Sequence, residues 1–327
     1  MSTSASIRRT VRYGIDTFSR ESEIGWRWGR NAGPALRFRT DGGDDSLTKA
    51  GRRAVADLCR DGVAVTNVEE LLGSRTLFDE VRGQIEGLIE AHTPEIQARV
   101  ERYGAGGDAA GADKQYLVEL LGPMPAVHPA EPIARFVAHP LIRGVAEASS
   151  RMRLRVFDYN AWYNVALDGE ATQSQRWHRD LPEDRDIVKV FLYVRDVPEG
   201  AGPLSYVTGT HTGKGRRLRL PETWDGIGYR IDDADVESHA LGGHVASVPG
   251  PAGTVVFANT RGLHRGGWAR TDDRVVVQGL YASRSCNRPG SLVVGQGENA
   301  DALRHDFAIL AADQAKVRAA ALGVATP

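Results

Sequence analysis

Cysteine, lysine, net charge and long apolar runs are all scarce in this chain, and each scarcity excludes something. Two cysteines among 327 residues, Cys59 and Cys286, cannot make a disulfide framework or, by themselves, a thiolate zinc site. A reducing, cytoplasmic setting is therefore expected. Lysine occurs five times, so 41 − 5 = 36 of the basic residues are arginine, yet Asp and Glu number 42 and the formal net charge is −1 at pH 7. That balance leaves no basic face to follow a phosphate backbone, which argues against a nucleic-acid partner. No run of 18 or more apolar residues exists, and the opening MSTSASIRRTVRY has no apolar secretory core, so no membrane partner is expected. Fixed-period repeats and low-complexity linkers are also missing.

What is present is an ordinary globular composition, 41% hydrophobic and 25% charged. Glycine, at 37 residues, is enriched in a way that suits loop-rich β structure. Residues 1–45 are Arg- and Gly-rich, weakly patterned, and read as an amino-terminal arm. Apolar positions then recur at helical spacing from Ser46 to Arg60, and Asp61-Gly62 stops that helix before the strand-like Val63-Ala64-Val65. A second helix is expected from Arg75 to Tyr103, with Leu77, Val81, Ile85, Leu88 and Ile89 on one face and Pro94 forcing a break or kink. A third is expected from Glu131 to Ser149. Beyond that point the period changes to two, and strands are expected at 153–164, 186–197, 203–207, 244–248, 253–257 and 274–283, with a helical tail from Asn299 to Leu322. Helices first and strands afterwards give an α+β class, the strands closing most simply as a jelly roll. The expected organisation is an arm (1–45), one jelly-roll domain with a helical flank (46–298) and a carboxy-terminal helix (299–327).

Two of the nine histidines stand apart. In His178-Arg179-Asp180 the first and third side chains of an extended segment point to one side, so an imidazole and a carboxylate can reach one cation. His264, 84 residues beyond Asp180 and just after a predicted strand, brings a second imidazole if the strands of two sheets meet. Two histidines and one carboxylate with open positions suit non-heme Fe(II) and oxygen chemistry; zinc with an open site is the rival. An H-x-D triplet is common by chance. Arg274, ten residues after His264 on the next predicted strand, adds weight, because a forked guanidinium is the usual grip for a distal carboxylate.

At these residues the chain resembles the phytanoyl-CoA dioxygenase-like family of Fe(II)/2-oxoglutarate-dependent oxygenases. The likeness runs over roughly residues 47–285: Asp61-Gly62-Val63, Trp177-His178-Arg179-Asp180, Val188 to Val194, Glu199 to Leu204, Gly209-Thr210-His211, Gly253 to Phe257, His264 and Arg274. It implies a double-stranded β-helix with flanking helices and Fe(II) on His178, Asp180 and His264. It further implies 2-oxoglutarate on that metal with its far carboxylate on Arg274, and O₂ as cosubstrate. The implied chemistry is oxidation of a C–H bond of a small molecule, by hydroxylation, desaturation or ring closure, in biosynthetic tailoring. Asn164, ending the strand before the motif, is then a candidate contact to the metal-side carboxylate. Gly266 stands where many relatives carry Ser, and Asp180 separates the chain from halogenating relatives, which have a small residue there.

Three tryptophans, Trp162, Trp177 and Trp268, flank the motif as candidate pocket walls, although large aromatics singly are more often core. Residues 212–247 lie outside the resemblance. They are long for a connection, carry six glycines, and read as a lid whose Trp224 or Tyr229 contacts substrate. A cupin-like divalent-metal hydrolase or isomerase is the alternative; it has no need of Arg274. A small-molecule substrate is the one partner expected, and oligomeric state is not legible.

Overall fold

The computed structural model describes residues 22–103, 114, 116–167, 170–180, 183–226, 228–241 and 244–324. Its strands are β1 (Val63–Asn67), β2 (Leu117–Glu119), β3 (Ala126–Val127), β4 (Arg155–Asn164), β5 (Val188–Tyr193), β6 (Leu204–Val207) and β7 (Thr223–Trp224). They continue with β8 (Tyr229–Arg230), β9 (Val245–Val248), β10 (Thr254–Asn259), β11 (His264–Arg265), β12 (Arg274–Ala282) and β13 (Val293–Val294). The major sheet is antiparallel with order β1-β10-β5-β12-β4-β2, and a second sheet has order β11-β6-β9. Helices and strands are both abundant, as the α+β expectation requires.

Alternation along the central strands divides the major sheet into two faces. Val188, Val190 and Leu192 of β5 and Val275, Val277 and Tyr281 of β12 join Leu58, Phe78, Val81, Ile85, Ile142 and Val145 from the helices in the largest core. At about 1.5–3 kcal/mol for each large apolar side chain buried, this helix-facing layer supplies most of the drive to fold. Val63, Tyr193, Leu204, Tyr206, Val248, Val256 and Val276 form a second cluster between the two sheets. The six-stranded sheet is thus covered by helices behind and by the short sheet in front.

The first predicted helix spans Lys49–Asp61, capped by the Thr48 side chain and closed by Gly62 at φ 85°. A Cβ at Gly62 would stand 2.3 Å from Tyr206 Oη and 2.5 Å from His211 Nδ1, so conformation and close approach both demand glycine. Of the break or kink expected at Pro94 there is no break: Thr76–Tyr103 runs as one helix through it, with Thr93 Oγ1 donating to the Ile89 carbonyl in that region. Other helix expectations need correction. The stretch expected as one helix from Glu131 to Ser149 is two, Pro132–Ala138 and Pro140–Ser150, because a residue preceding proline avoids the helical region and His139 sits at ψ 131°. The tail is likewise divided into Ala300–Leu303 and Ala312–Leu322. The glycine-rich stretch 104–111, whose sequence suggests a flexible loop, lies outside the described residues.

The described part of the expected arm is firmly docked. Gly25–Arg30 and Ala32–Thr40 are helical turns, and Trp26 is 1% exposed with its Nε1 donating to Asp184 Oδ1 at 2.6 Å. No described helix is long and apolar enough to cross a membrane.

Candidate metal centre

The backbone brings the two histidines together before their side chains are considered. His178 and His264 exchange backbone hydrogen bonds of 2.9 Å in both directions, so their rings emerge on one side with centroids 4.3 Å apart. Asp180 follows with its N–H on the Thr260 carbonyl at 2.9 Å, and Arg261 Nη1 donates to the Asp180 carbonyl at 2.8 Å. Arg179 donates to the carbonyls of Thr210, Arg261 and Gly215, fixing the loop between the two ligand candidates. One ligand atom from each of His178, Asp180 and His264 lies within 4.8 Å of the others.

The protonation states suit coordination. His178 Nδ1 lies 2.9 Å from the Arg176 carbonyl and His264 Nδ1 lies 3.0 Å from the Gly262 carbonyl. A carbonyl only accepts, so each ring carries its proton on Nδ1 and turns the Nε2 lone pair toward the cluster. Burial, then the neighbouring imidazole, pushes His178 well below its ordinary range, and burial pushes His264 to about 4. Both rings are neutral at pH 7. Burial alone would raise the Asp180 carboxyl, but the Lys189 ammonium, 2.8 Å from Oδ2, outweighs it and holds the group well below the usual carboxylate range. Two neutral imidazoles and one ionised carboxylate are the donor set a divalent cation needs, so the residues fit such an ion.

The centre opens into a cavity of about 420 Å³. The major sheet provides its floor as a grid set by register. Asn164 lies opposite Arg274; Glu119, Trp162, Val276 and Tyr193 form the next row; Asn160, Gln278 and Phe191 the third; Leu280 and Lys189 pair in the fourth. Arg274 is 7% exposed and lies against Gly266, two residues on from His264: an added Cβ there would stand 3.7 Å from Nη2. Burial pushes its guanidinium down. Its one side-chain hydrogen bond among the described residues is from Nη2 to Asn164 Oδ1, at a long 3.4 Å, and it has no ion pair there. A buried, permanently charged fork facing a cavity, with no carboxylate partner among the described residues, has the chemistry to receive an anion.

The aromatic expectations divide. Trp162 lines the cavity, its buried Nε1 without a hydrogen-bond partner. Trp177 does not: it packs with Ile231 and Leu263, donates from Nε1 to Asp233 Oδ1 at 2.6 Å and carries the Arg265 guanidinium 4.5 Å above its ring. Trp268 also points elsewhere, bonding the Leu167 carbonyl at 3.1 Å. Trp224 and Tyr229 are 54% and 51% exposed on the β7-β8 hairpin, edge to face with centroids 5.1 Å apart, and neither borders the cavity. Each ring covers only part of the other, and both remain more than half exposed. The segment 212–247 reaches the cavity through Gly228 and Arg230 instead; Arg230 is 6% exposed and paired with Asp225 at 2.7 Å. Asn164 is placed at the Arg274 end, its Nδ2 donating to the Arg274 carbonyl at 3.3 Å, a position that supports the guanidinium and not the expected metal-side contact. Reading the sequence missed Lys189, Tyr116 and Ser174. Tyr116 Oη and Ser174 Oγ, 2.6 Å apart, share the cavity wall with Arg274. Period two along Val188-Lys-Val-Phe-Leu-Tyr193 was the signal that could have found Lys189.

Residues 125–276 match the model of the phytanoyl-CoA dioxygenase (PhyH) family. The match covers 152 of the 327 residues. With it come the family's class and cofactors: an oxidoreductase working with Fe(II) and 2-oxoglutarate, consistent with the His-Asp-His cluster. All three cluster residues, Asn164 and Arg274 fall inside the match; Lys114, Tyr116 and Glu119 fall outside it. No curated protein matches the chain in sequence. Among solved structures the chain is similar to AviO1 from Streptomyces viridochromogenes Tue57 (22% identity, 75% of this chain and 100% of that one, TM-score 0.48). It is also similar to iron-bound EctD from S. alaskensis (17%, 78% and 84%, 0.49) and to SnoK, a carbocyclase of nogalamycin biosynthesis (21%, 73% and 85%, 0.47).

Proposed function

We propose that this protein oxidises a C–H bond of a small molecule in biosynthetic tailoring, with Fe(II) held by His178, Asp180 and His264 and 2-oxoglutarate gripped at its far carboxylate by Arg274. The observation that carries the reading is the buried, unpaired Arg274 guanidinium sharing one cavity with the neutral-imidazole and carboxylate cluster. A metal hydrolase has use for the cluster but none for that cation. A double-stranded β-helix is the finer fold reading, supported by two antiparallel sheets whose facing residues line one cavity.

Bound Fe(II) and 2-oxoglutarate supply the O₂-dependent oxidising power, the keto acid being converted to CO₂ and succinate. The chain's own residues do the rest. Nδ1–H bonds to the Arg176 and Gly262 carbonyls fix both imidazoles in the coordinating tautomer. Lys189 holds one Asp180 oxygen and keeps the carboxylate ionised. Arg274, steadied by Asn164, orients the cosubstrate, while Tyr116, Ser174 and Tyr193 complete its wall. Trp162 and Phe191 give the chamber apolar surface that excludes water from the reacting bond. The deciding experiment is anaerobic absorption spectroscopy on adding Fe(II) and then 2-oxoglutarate. A visible charge-transfer band that is lost in Arg274→Ala supports the proposal; no band in the wild-type chain, with hydrolysis of ester or amide probes by the zinc form, would turn it toward the hydrolase alternative.

A further inference from the structure

At the β2 edge of the cavity the lining changes character. Lys114, whose carbonyl accepts from Arg99 Nη1 and the Leu117 N–H, extends its ammonium over the Trp162 ring, 5.4 Å from the centroid, and that ammonium makes no hydrogen bond or ion pair among the described residues. Arg318 reaches the same chamber from the carboxy-terminal helix Ala312–Leu322, which also contributes Leu322. Its buried Nε has no hydrogen-bond partner and its guanidinium no ion pair among the described residues. Glu119, next to Trp162 in the register, is the carboxylate whose field both cations share, and burial raises its pKa. Neighbouring charges are already engaged: Arg288 pairs with Glu183 at 3.1 Å, and Ser291 Oγ donates to Asp158 Oδ1 at 2.5 Å.

Two cations that line one cavity without a hydrogen-bonded or ion-paired partner among the described residues, one of them over the face of an indole, are a poor arrangement for an empty protein, since an unpaired partly buried charge is costly. They are a good one for a ring-bearing ligand with a negative group. We propose that Lys114 and Arg318 form the substrate subsite for an anionic group, a carboxylate or a phosphate or sulfate ester, with the substrate's ring against Trp162 and Glu119 accepting from an adjacent hydroxyl or amine. Arg274 is a separate anion site, built around β12 at the Asn164 row. Lys114, Glu119 and Arg318 lie outside residues 125–276, the stretch the family match covers, whereas Trp162 lies inside it. The inference rests on reading the cavity as an oxygenase chamber, but its charge chemistry can be tested without turnover.

The test is calorimetric titration of the full chain with benzyl phosphate, phenylacetate and, as neutral control, benzyl alcohol, first without metal and then with Mn(II) and saturating 2-oxoglutarate. Saturable binding of at least one anion, retained when 2-oxoglutarate fills the Arg274 site, is expected, and the two anions distinguish phosphate from carboxylate recognition. Lys114→Met and Arg318→Gln should each weaken that binding at least tenfold, Lys114→Arg should restore most of it, and Glu119→Gln should tighten it. Unchanged Mn(II) affinity in the variants shows that the fold and metal centre survive. The proposal is overturned if neither anion binds, if benzyl alcohol binds equally well, if both variants bind like the wild-type chain, or if 2-oxoglutarate displaces the probe. Loss of Mn(II) or 2-oxoglutarate binding in the wild-type chain would count against the oxygenase reading alone, since the metal-free titration stands independently.

Discussion

Replacing Arg274 should move cosubstrate affinity and free-protein stability in opposite directions. In the 2-oxoglutarate complex a planar guanidinium grips a carboxylate with two charge-assisted bonds. Arg274→Lys keeps the charge but loses the fork, and one charged hydrogen bond is worth about 1.5–3 kcal/mol. The cosubstrate Kd should therefore rise about 10- to 150-fold. Arg274→Met strands the carboxylate altogether, at about 3–5 kcal/mol, or roughly 150- to 5,000-fold. Stability runs the other way. Without cosubstrate the guanidinium is 7% exposed, has one 3.4 Å hydrogen bond among the described residues and is pushed down in pKa by burial, so it is a poorly compensated charge. Methionine fills similar volume without that penalty, and the metal-free variant should melt no lower than the wild-type chain. Calorimetry gives the affinities and thermal melting with and without 2-oxoglutarate gives the stabilities. At 100 times Kd the wild-type chain gains about 2.7 kcal/mol from the ligand, while Arg274→Met gains almost nothing at the same concentration. A variant that bound 2-oxoglutarate within threefold of wild type, or whose free form melted far lower, would refute the reasoning.

Further outcomes follow from the same geometry. Asp180→Ala should abolish Mn(II) binding and turnover while leaving the far-ultraviolet circular dichroism unchanged; retained metal affinity would exclude Asp180 as a ligand. Gly62→Ala should lower the melting temperature through a loss of about 1–3 kcal/mol or more, because its Cβ would collide with Tyr206 and His211 at a φ of 85°, and an unchanged melt would remove that close contact from the account. Burial lowers His139, whose Nδ1 accepts from the Leu141 N–H at 3.2 Å, and burial likewise lowers His211. Their folded pKa values lie below the unfolded value of about 6.5, so their contribution is fully present above that pH and lost as pH falls through the folded values. Denaturant titrations should then show stability declining on acidification below about pH 6.5, and His139→Asn, which retains a capping acceptor, should flatten that slope.

The strands were legible because they are runs of β-branched and aromatic residues bounded by turn formers, Val188-Lys-Val-Phe-Leu-Tyr193 and Arg274-Val-Val-Val-Gln278 among them, although their alternation is only partial. The metal cluster was legible because His178 and Asp180 lie two apart on extended backbone and the resemblance supplied His264. Trp162 lines the cavity as expected, but Trp177, Trp224, Tyr229 and Trp268 do not, for a physical reason. An aromatic ring near a site packs on a neighbouring side chain or stands partly in solvent as readily as it meets a ligand, as Trp224 and Tyr229 do, and residue type cannot tell these apart. The helix boundary at His139 is set by Pro140, a one-residue restriction hidden by the apolar periodicity on either side of it. The cavity's far wall was out of reach because Lys114, Trp162 and Arg318 meet only through tertiary packing, with no spacing to mark them.

Trp26 couples the beginning of the described chain to its chemistry. Its indole N–H meets Asp184, four residues beyond Asp180, and Asp184 also accepts from the Ser283 backbone at 2.7 Å, just after β12. Asn31 adds a bond to Ser285 Oγ at 2.9 Å. Asp184 is thus held from behind by a segment far away in sequence. If a metal ion is held by His178, Asp180 and His264 as proposed, and needs that segment seated, its apparent affinity should fall in proportion to the seated fraction. By the same equilibrium, filling the metal centre should slow hydrogen exchange at the amides of residues 25–40, making the terminal segment a remote reporter of iron occupancy.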